Sequence, residues 1–356
     1  MSLLKSKTFC VLPWIEKFQN LDGLNYLCCH SNVPVQPDEI NSIRIKIQNQ
    51  QPVSQCESCY RLDQQQVVSP RLQESSRWLR DPEVKLFIEQ WQPGDPESTF
   101  FYDLRFDNKC NLACICCDPT ASSLWARELG VKIQSQTVRF AKDDMVNSKK
   151  IYMAGGEPLI IDQFIELLDH ISTQEQQPEI VINTNLSRVD PHMQKILQQI
   201  KNLTLVVSVD AFGSVNEYHR WPIKWNKFIN NLSWARDIGC TVQFNTVIDA
   251  VSVTNAADLV DIEHYCDLWN LTVLTRPTSL HVSNLPSKVK SDVKNHWQKI
   301  KTSKFFNTDV TFKSRVNHIT DLIDQPGDCA ALNNYLIDLD KRRNIKYKDF
   351  LPITLS

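Results

Sequence analysis

The sequence predicts an α/β protein built on a parallel sheet, from two observations: six strand-like runs alternate with helix-like ones, and clusters of polar or cysteine residues follow those runs. The strand-like runs are 100–106, 150–153, 180–183, 203–209, 241–248 and 271–274, rich in β-branched and aromatic residues. Between them, 122–129, 162–172, 191–200, 224–238 and 256–269 carry the apolar spacing of helices. Alternation of this kind argues for right-handed crossovers between parallel strands. The spacing fits an open sheet, a full barrel or a partial barrel, and each places function at the C-terminal ends of the strands. No internal repeat is present.

At 356 residues and 42% hydrophobic content, the chain holds enough apolar material for a substantial core. Its 39 basic and 41 acidic residues give a formal net charge of -2, which disfavours a nucleic-acid partner. Residues 1–14 lack the apolar run of a signal peptide, and no stretch approaches the roughly 18 consecutive apolar residues of a membrane span. The expected location is the cytoplasm, with no membrane partner. Twelve cysteines without an export signal point to metal binding, because the cytosol keeps thiols reduced. Cys10, Cys28, Cys29, Cys56 and Cys59 form one group, and Cys110, Cys114, Cys116 and Cys117 a second. Two metal sites are therefore expected, with Cys240, Cys266 and Cys329 scattered outside them.

Residues 1–62 read as a small module held by metal rather than by a large core. Residues 63–99 form a polar, Gln-rich bridge with a helix over 82–91, ended by the turn Gln92-Pro93-Gly94-Asp95. Residues 100–286 carry the strand–helix alternation, and 287–356 form a C-terminal helical extension.

The first core strand runs into Cys110-Asn111-Leu112-Ala113-Cys114-Ile115-Cys116-Cys117, a C-x3-C-x2-C pattern whose spacing selects Cys117 as the third cysteine. Three thiolates on one loop can bind three irons of a cubane and leave the fourth iron open to chelate a substrate. A structural zinc site would want a fourth ligand, and Cys116 could supply it. One crossover later stands Gly155-Gly156-Glu157-Pro158, whose glycines let the backbone approach a ligand and whose carboxylate suits an ammonium. Asn183-Thr184-Asn185 follows the third strand and Ser208-Val209-Asp210 the fourth, while Arg220 and Asn245 are further polar candidates. An arginine fork suits a carboxylate. Ordinary turn chemistry also favours these Asn and Asp residues, and Arg220 could simply cap a helix start.

The cysteine loop closely resembles the signature of the radical S-adenosylmethionine (SAM) superfamily, C-x3-C-x2-C after the first strand of a partial (β/α)6 TIM-like barrel. Residues 155–158 resemble that superfamily's Gly-Gly-Glu-Pro segment. The resemblance implies that Cys110, Cys114 and Cys117 bind the SAM-binding [4Fe-4S] cluster. It implies that Gly155, Gly156, Glu157 and Pro158 receive the methionine amino group of S-adenosyl-L-methionine. It also puts Asn185, Ser208, Asp210, Arg220 and Asn245 around the nucleoside, the carboxylate or the substrate. One position departs from the pattern: Cys116 stands where the family usually has a bulky residue.

In the N-terminal segment, Cys10-Val11-Leu12-Pro13-Trp14, then Gly23 with Cys28 and Cys29, then Cys56-Glu57-Ser58-Cys59 resemble the SPASM and twitch modules of peptide-modifying radical enzymes. Here the module precedes the barrel. The resemblance implies an auxiliary [4Fe-4S] cluster on Cys10, Cys28, Cys56 and Cys59, with Cys29 as the alternative to Cys28 and zinc as the alternative metal.

The implied activity is reductive cleavage of SAM to a 5′-deoxyadenosyl radical, which abstracts hydrogen from a peptide or protein substrate. Maturation of a ribosomally made precursor peptide by backbone excision, crosslinking or epimerisation is expected. So are an external electron donor and a small leader-peptide-binding partner protein. Cys116 and Cys329 are candidate hydrogen donors, with Cys240 and Cys266 behind them. A radical enzyme acting on a small molecule would share every motif. A non-catalytic iron–sulfur or zinc scaffold would have no need of residues 155–158.

Overall fold

Hydrophobic alternation decides which face of each strand is covered by helices. The computed structural model, which describes residues 6–65, 68–95, 98–133 and 140–351, contains eight strands among those residues. They are β1 (Glu16–Gln19), β2 (Asn25–Tyr26), β3 (Phe101–Arg105), β4 (Lys150–Ala154), β5 (Glu179–Thr184), β6 (Leu203–Ser208), β7 (Thr241–Ile248) and β8 (Leu268–Val273). The sheet order is β2-β1-β3-β4-β5-β6-β7-β8. β2 pairs antiparallel with β1, and every other pairing is parallel.

Leu104, Met153, Ile182, Leu205, Phe244 and Leu271 point to the helix side and join the main core. Helix Asp162–Ser172 covers part of it with Phe164, Leu167, Leu168 and Ile171, each contributing about 1.5–3 kcal/mol by burial. Asp81, Ser122, Asp190 and Asp309 cap helices Pro82–Gln90, Ser123–Glu128, Pro191–Gln198 and Val310–Asp324 by accepting first-turn amides. The opposite, concave face carries Asp103, Tyr152, Asn183, Ser208, Asn245 and Asn270, as the parallel register requires.

The α/β class and the six expected core strands, β3 to β8, are present. Two details differ. The helix expected over 256–269 is a 3-10 helix, Ala256–Tyr265, and β8 begins at Leu268. Trp269 and Leu271 alternate into the core with period two, so strand pairing overrides the helical spacing there. The N-terminal segment also shares the sheet, because β1 pairs parallel with β3. Around it Phe9, Trp14, Ile43, Ile47, Trp78 and Trp91 make a second core, with helices Ile40–Gln48, Glu57–Gln64 and Pro70–Trp78.

Beyond the sheet run helices Ser287–Trp297, Val310–Asp324 and Cys329–Arg343. Parts of the expected segments, 1–5, 66–67, 96–97 and 352–356, lie outside the described residues. Among the described residues no helix is long and apolar enough to cross a membrane.

Candidate active site

The loops that follow β3, β4 and β5 meet above the strand ends. Gly156 N donates to Asp107 O (2.9 Å) and Glu157 N to Lys109 O (2.8 Å), which lays segment 155–158 along the approach to Cys110. Only glycine fits. Gly155 has φ +116°, and a Cβ on Gly156 would stand 2.3 Å from Lys109 O.

Glu157 is buried, and its carboxylate joins two loops: Oε1 accepts from Thr184 Oγ1 (2.6 Å) and Leu159 N (3.2 Å), Oε2 from Asn185 N (2.6 Å). Burial pushes this carboxyl up, and those donors oppose the rise. Asn185 Nδ2 donates to Asn111 Oδ1 (3.1 Å) and lies 3.9 Å from Cys110 Sγ.

Cys110, Cys114 and Cys117 come together. Burial, and then the neighbouring Cys114, pushes the Cys110 thiol up and the Cys117 thiol to about 12. Such a set ionises when a metal neutralises it, so the donors fit an iron–sulfur cluster. The loop itself is clamped from several elements. Cys110 N donates to Ser123 Oγ (3.0 Å), Trp125 Nε1 to Cys114 O (2.7 Å) and Ile115 N to His219 O (2.8 Å). From the C-terminal helix, Tyr335 Oη donates to Ile115 O (3.2 Å) and Arg343 Nη2 to Ala113 O (2.7 Å).

Beneath the loop lies a buried row of charges. Asp210 Oδ2 meets Arg220 Nη1 at 2.5 Å and His219 Nδ1 at 3.0 Å, while His219 Nε2 meets Asp249 Oδ2 at 2.6 Å. Val247 N donates to Asp210 Oδ1 (2.8 Å). Burial alone would lower the His219 imidazole, but Asp249 and Asp210 raise it to about 10. Burial would raise the Asp210 carboxyl, yet Arg220 and His219 hold it well below the usual carboxylate range. Asp210 has no exposed surface, so it holds Arg220 and His219 in place and is not offered to a ligand. Arg220 Nε is buried without a hydrogen-bond partner, a donor suited to a ligand carboxylate.

Asn245 and Ser208 lie on the concave face. Ser208 Oγ donates to Asn183 Oδ1 (3.3 Å), and Asn270 Nδ2 to Asn245 Oδ1 (3.0 Å). Cys116 is half-buried, its thiol within 4.8 Å of ligand atoms of Asp210 and His219, and it borders a cleft of about 650 Å³ beside Cys117, Arg276 and Tyr335. Cys329 is exposed in the first turn of helix Cys329–Arg343 and does not line that cleft. Cys240 and Cys266 precede β7 and β8, at the strand ends opposite the cysteine loop.

In the N-terminal segment Cys10 adjoins Cys56 and Cys59, and Cys28 adjoins Cys10. Burial pushes all four thiols up, Cys56 to about 11. Cys29 is directed elsewhere, towards Glu16 and Asp103. Sequence reasoning missed Asp249, Tyr335 and Arg343, which share no spacing with the cysteine motif. It also missed Glu16 and Asp103, whose proximity follows only from the unforeseen pairing of β1 with β3.

A parallel α/β sheet thus carries, at its strand ends, a three-cysteine loop after β3 packed against a glycine turn after β4, a donor set that fits an iron–sulfur cluster. Residues 104–266 match the sequence model of the Radical SAM superfamily. The GTP 3′,8-cyclase of Campylobacter lari is 26% identical over 158 residues, covering 43% of this chain and 48% of the relative. That of Mycolicibacterium smegmatis is 28% identical over 174 residues, covering 46% of each. The chain thus spans about half the length of the curated relatives it matches. Among solved structures, SuiB of Streptococcus suis bound to its precursor peptide SuiA aligns with 76% of this chain and 64% of its own, at TM-score 0.41 and 15% identity. The protein anSMEcpe with bound AdoMet aligns with 69% and 62%, at TM-score 0.41 and 13% identity.

Proposed function

We propose that this chain is a radical SAM enzyme acting on a peptide substrate. One observation carries the cofactor half: segment 155–158 is hydrogen-bonded along the approach to Cys110, with no room for a side chain at Gly156. Cys110, Cys114 and Cys117 are the ligands of a [4Fe-4S] cluster. Residues 155–158, Asn185, Arg220 and Asn245 are the residues that hold SAM. Bound together, cluster and SAM supply a 5′-deoxyadenosyl radical that abstracts hydrogen.

The chain's own residues bind and orient. Glu157 fastens the β4 loop to the β5 loop. Arg220, held in place by its ion pair with Asp210, brings a cation beside Cys114 and Cys116 and offers to a carboxylate its Nε, which has no hydrogen-bond partner among the described residues. Trp125, Tyr335 and Arg343 occupy the loop carbonyls and keep water from them. Cys10, Cys28, Cys56 and Cys59 would hold the auxiliary [4Fe-4S] cluster, an external donor would supply the electron, and a small partner would present the leader sequence.

The substrate half rests on the concave face. Asn183, Ser208 and Asn270 offer neutral donors and acceptors, which suit backbone amides of a peptide. Arg105 is neutralised by Asp103 and lies over the rings of Phe18 and Tyr152, 5.4 and 5.2 Å from their centroids, so it is not offered to a polyphosphate. A second reading, radical chemistry on a small molecule, is favoured by the two GTP 3′,8-cyclase relatives.

The test is anaerobic reconstitution with iron and sulfide, then reductant and SAM, with 5′-deoxyadenosine as the readout. Product from the wild type and none from a Cys110/Cys114/Cys117→Ala variant supports the radical reading. A cluster-loaded wild type that makes none, even with candidate peptides present, returns the chain to an iron–sulfur scaffold. Stimulation by GTP and by no peptide would move the substrate to the small-molecule reading.

A further inference from the structure

The vicinal cysteines share Glu16 as a neighbour and differ beyond it. Cys28 is buried beside Glu16 and Cys10, whereas Cys29 is solvent-exposed and also meets Asp103. Cys29 Sγ, a carboxylate oxygen of Glu16 and one of Asp103 all lie within 4.8 Å of one another. Strand register accounts for the meeting. Glu16 is opposite Phe101 and Phe18 opposite Asp103, so Glu16 and Asp103 project from the same face of two neighbouring parallel strands.

Both carboxylate oxygens of Glu16 are buried and accept no hydrogen bond among the described residues. A carboxylate held that way is costly unless a cation or a proton meets it. Asp103 has Arg105 as its ion-pair partner. Burial pushes the Glu16 carboxyl and the Cys29 thiol up, and once ionised, two carboxylates and a thiolate against one guanidinium would leave two negative charges, which a divalent ion would neutralise.

We propose that Cys29, Glu16 and Asp103 hold a divalent cation of the zinc class, distinct from both cysteine groups that suit iron–sulfur clusters. A thiolate with two carboxylates suits zinc, whereas magnesium and calcium take oxygen ligands alone. Three protein ligands leave a coordination position open. Because Cys29 is exposed, that position is reached from its side, where water or a substrate carbonyl takes it.

To test this, protein already reconstituted with iron and sulfide is dialysed against zinc, both metals are measured per chain, and zinc-edge anomalous diffraction locates the ion. Zinc between Cys29, Glu16 and Asp103 is the expected result. E16Q and C29A each lower zinc affinity by more than about 100-fold, beyond the cost of removing an outer-shell partner, and keep the wild-type iron content. E16Q preserves side-chain volume and removes a buried charge, so its folding is not at issue. Unchanged zinc affinity in E16Q and C29A, or an anomalous peak elsewhere, overturns the site. Iron lost from C29A but retained in C28A also overturns it, since Cys29 would then be an auxiliary-cluster ligand. None of these outcomes depends on SAM cleavage.

Discussion

His219 is enclosed by Asp210 on one ring nitrogen and Asp249 on the other, with no solvent contact. Its folded-state pKa of about 10 lies above its ordinary value of 6.5, so its stabilisation is complete below about pH 6.5 and is lost as pH rises through about 10. The wild-type melting temperature should therefore fall steadily between pH 7 and pH 10, and H219Q should flatten that slope. At neutral pH H219Q should also lose on the order of 3–5 kcal/mol in denaturant melts, because two buried aspartates lose their shared cation. Gly156 gives a second prediction at this scale. G156A forces a Cβ onto the carbonyl of Lys109, so iron bound after reconstitution should drop sharply and stability should fall by roughly 1–3 kcal/mol. The need for Gly156 was legible in its motif. Asp249 was not, because nothing at its own position in the chain marks it as the partner of a histidine thirty residues earlier.

At the scale of elements, strand period was the readable signal, and it located β3 to β8. It failed at 256–269, where a helical spacing and the start of β8 overlap and only pairing with β7 decides. The two cysteine-bearing segments were visible from spacing. What holds the second of them was not, since the helix Cys329–Arg343 reads as an ordinary extension until Tyr335 and Arg343 are seen on the carbonyls of Ile115 and Ala113. R343A removes a donor from Ala113 O and a partner from Glu128. It should cost about 1–3 kcal/mol, and the reconstituted variant should shed iron faster on gel filtration than the wild type.

For the whole molecule, the sheet order couples the N-terminal segment to the domain that carries the three-cysteine loop. β1 covers the edge of β3, so a fragment starting at residue 63 would expose the amides and carbonyls of a buried strand. That fragment should be insoluble or aggregate, while a freely folding one would show that β1 is dispensable. In the intact chain, reconstitution should give about eight irons, and C56A about four, because two cubanes are expected and only one is disturbed. Composition made the two groups of cysteines evident. The joining of both to one sheet depends on a four-residue strand, too short for any pattern to announce.

Tyr335 and Arg343 reach the cysteine loop from 220 and 230 residues downstream. During synthesis, Cys110, Cys114 and Cys117 therefore emerge from the ribosome long before the side chains that fix their loop. On the proposed ligand set, iron would be delivered to the completed polypeptide, with the three thiols bare for as long as translation of that interval lasts.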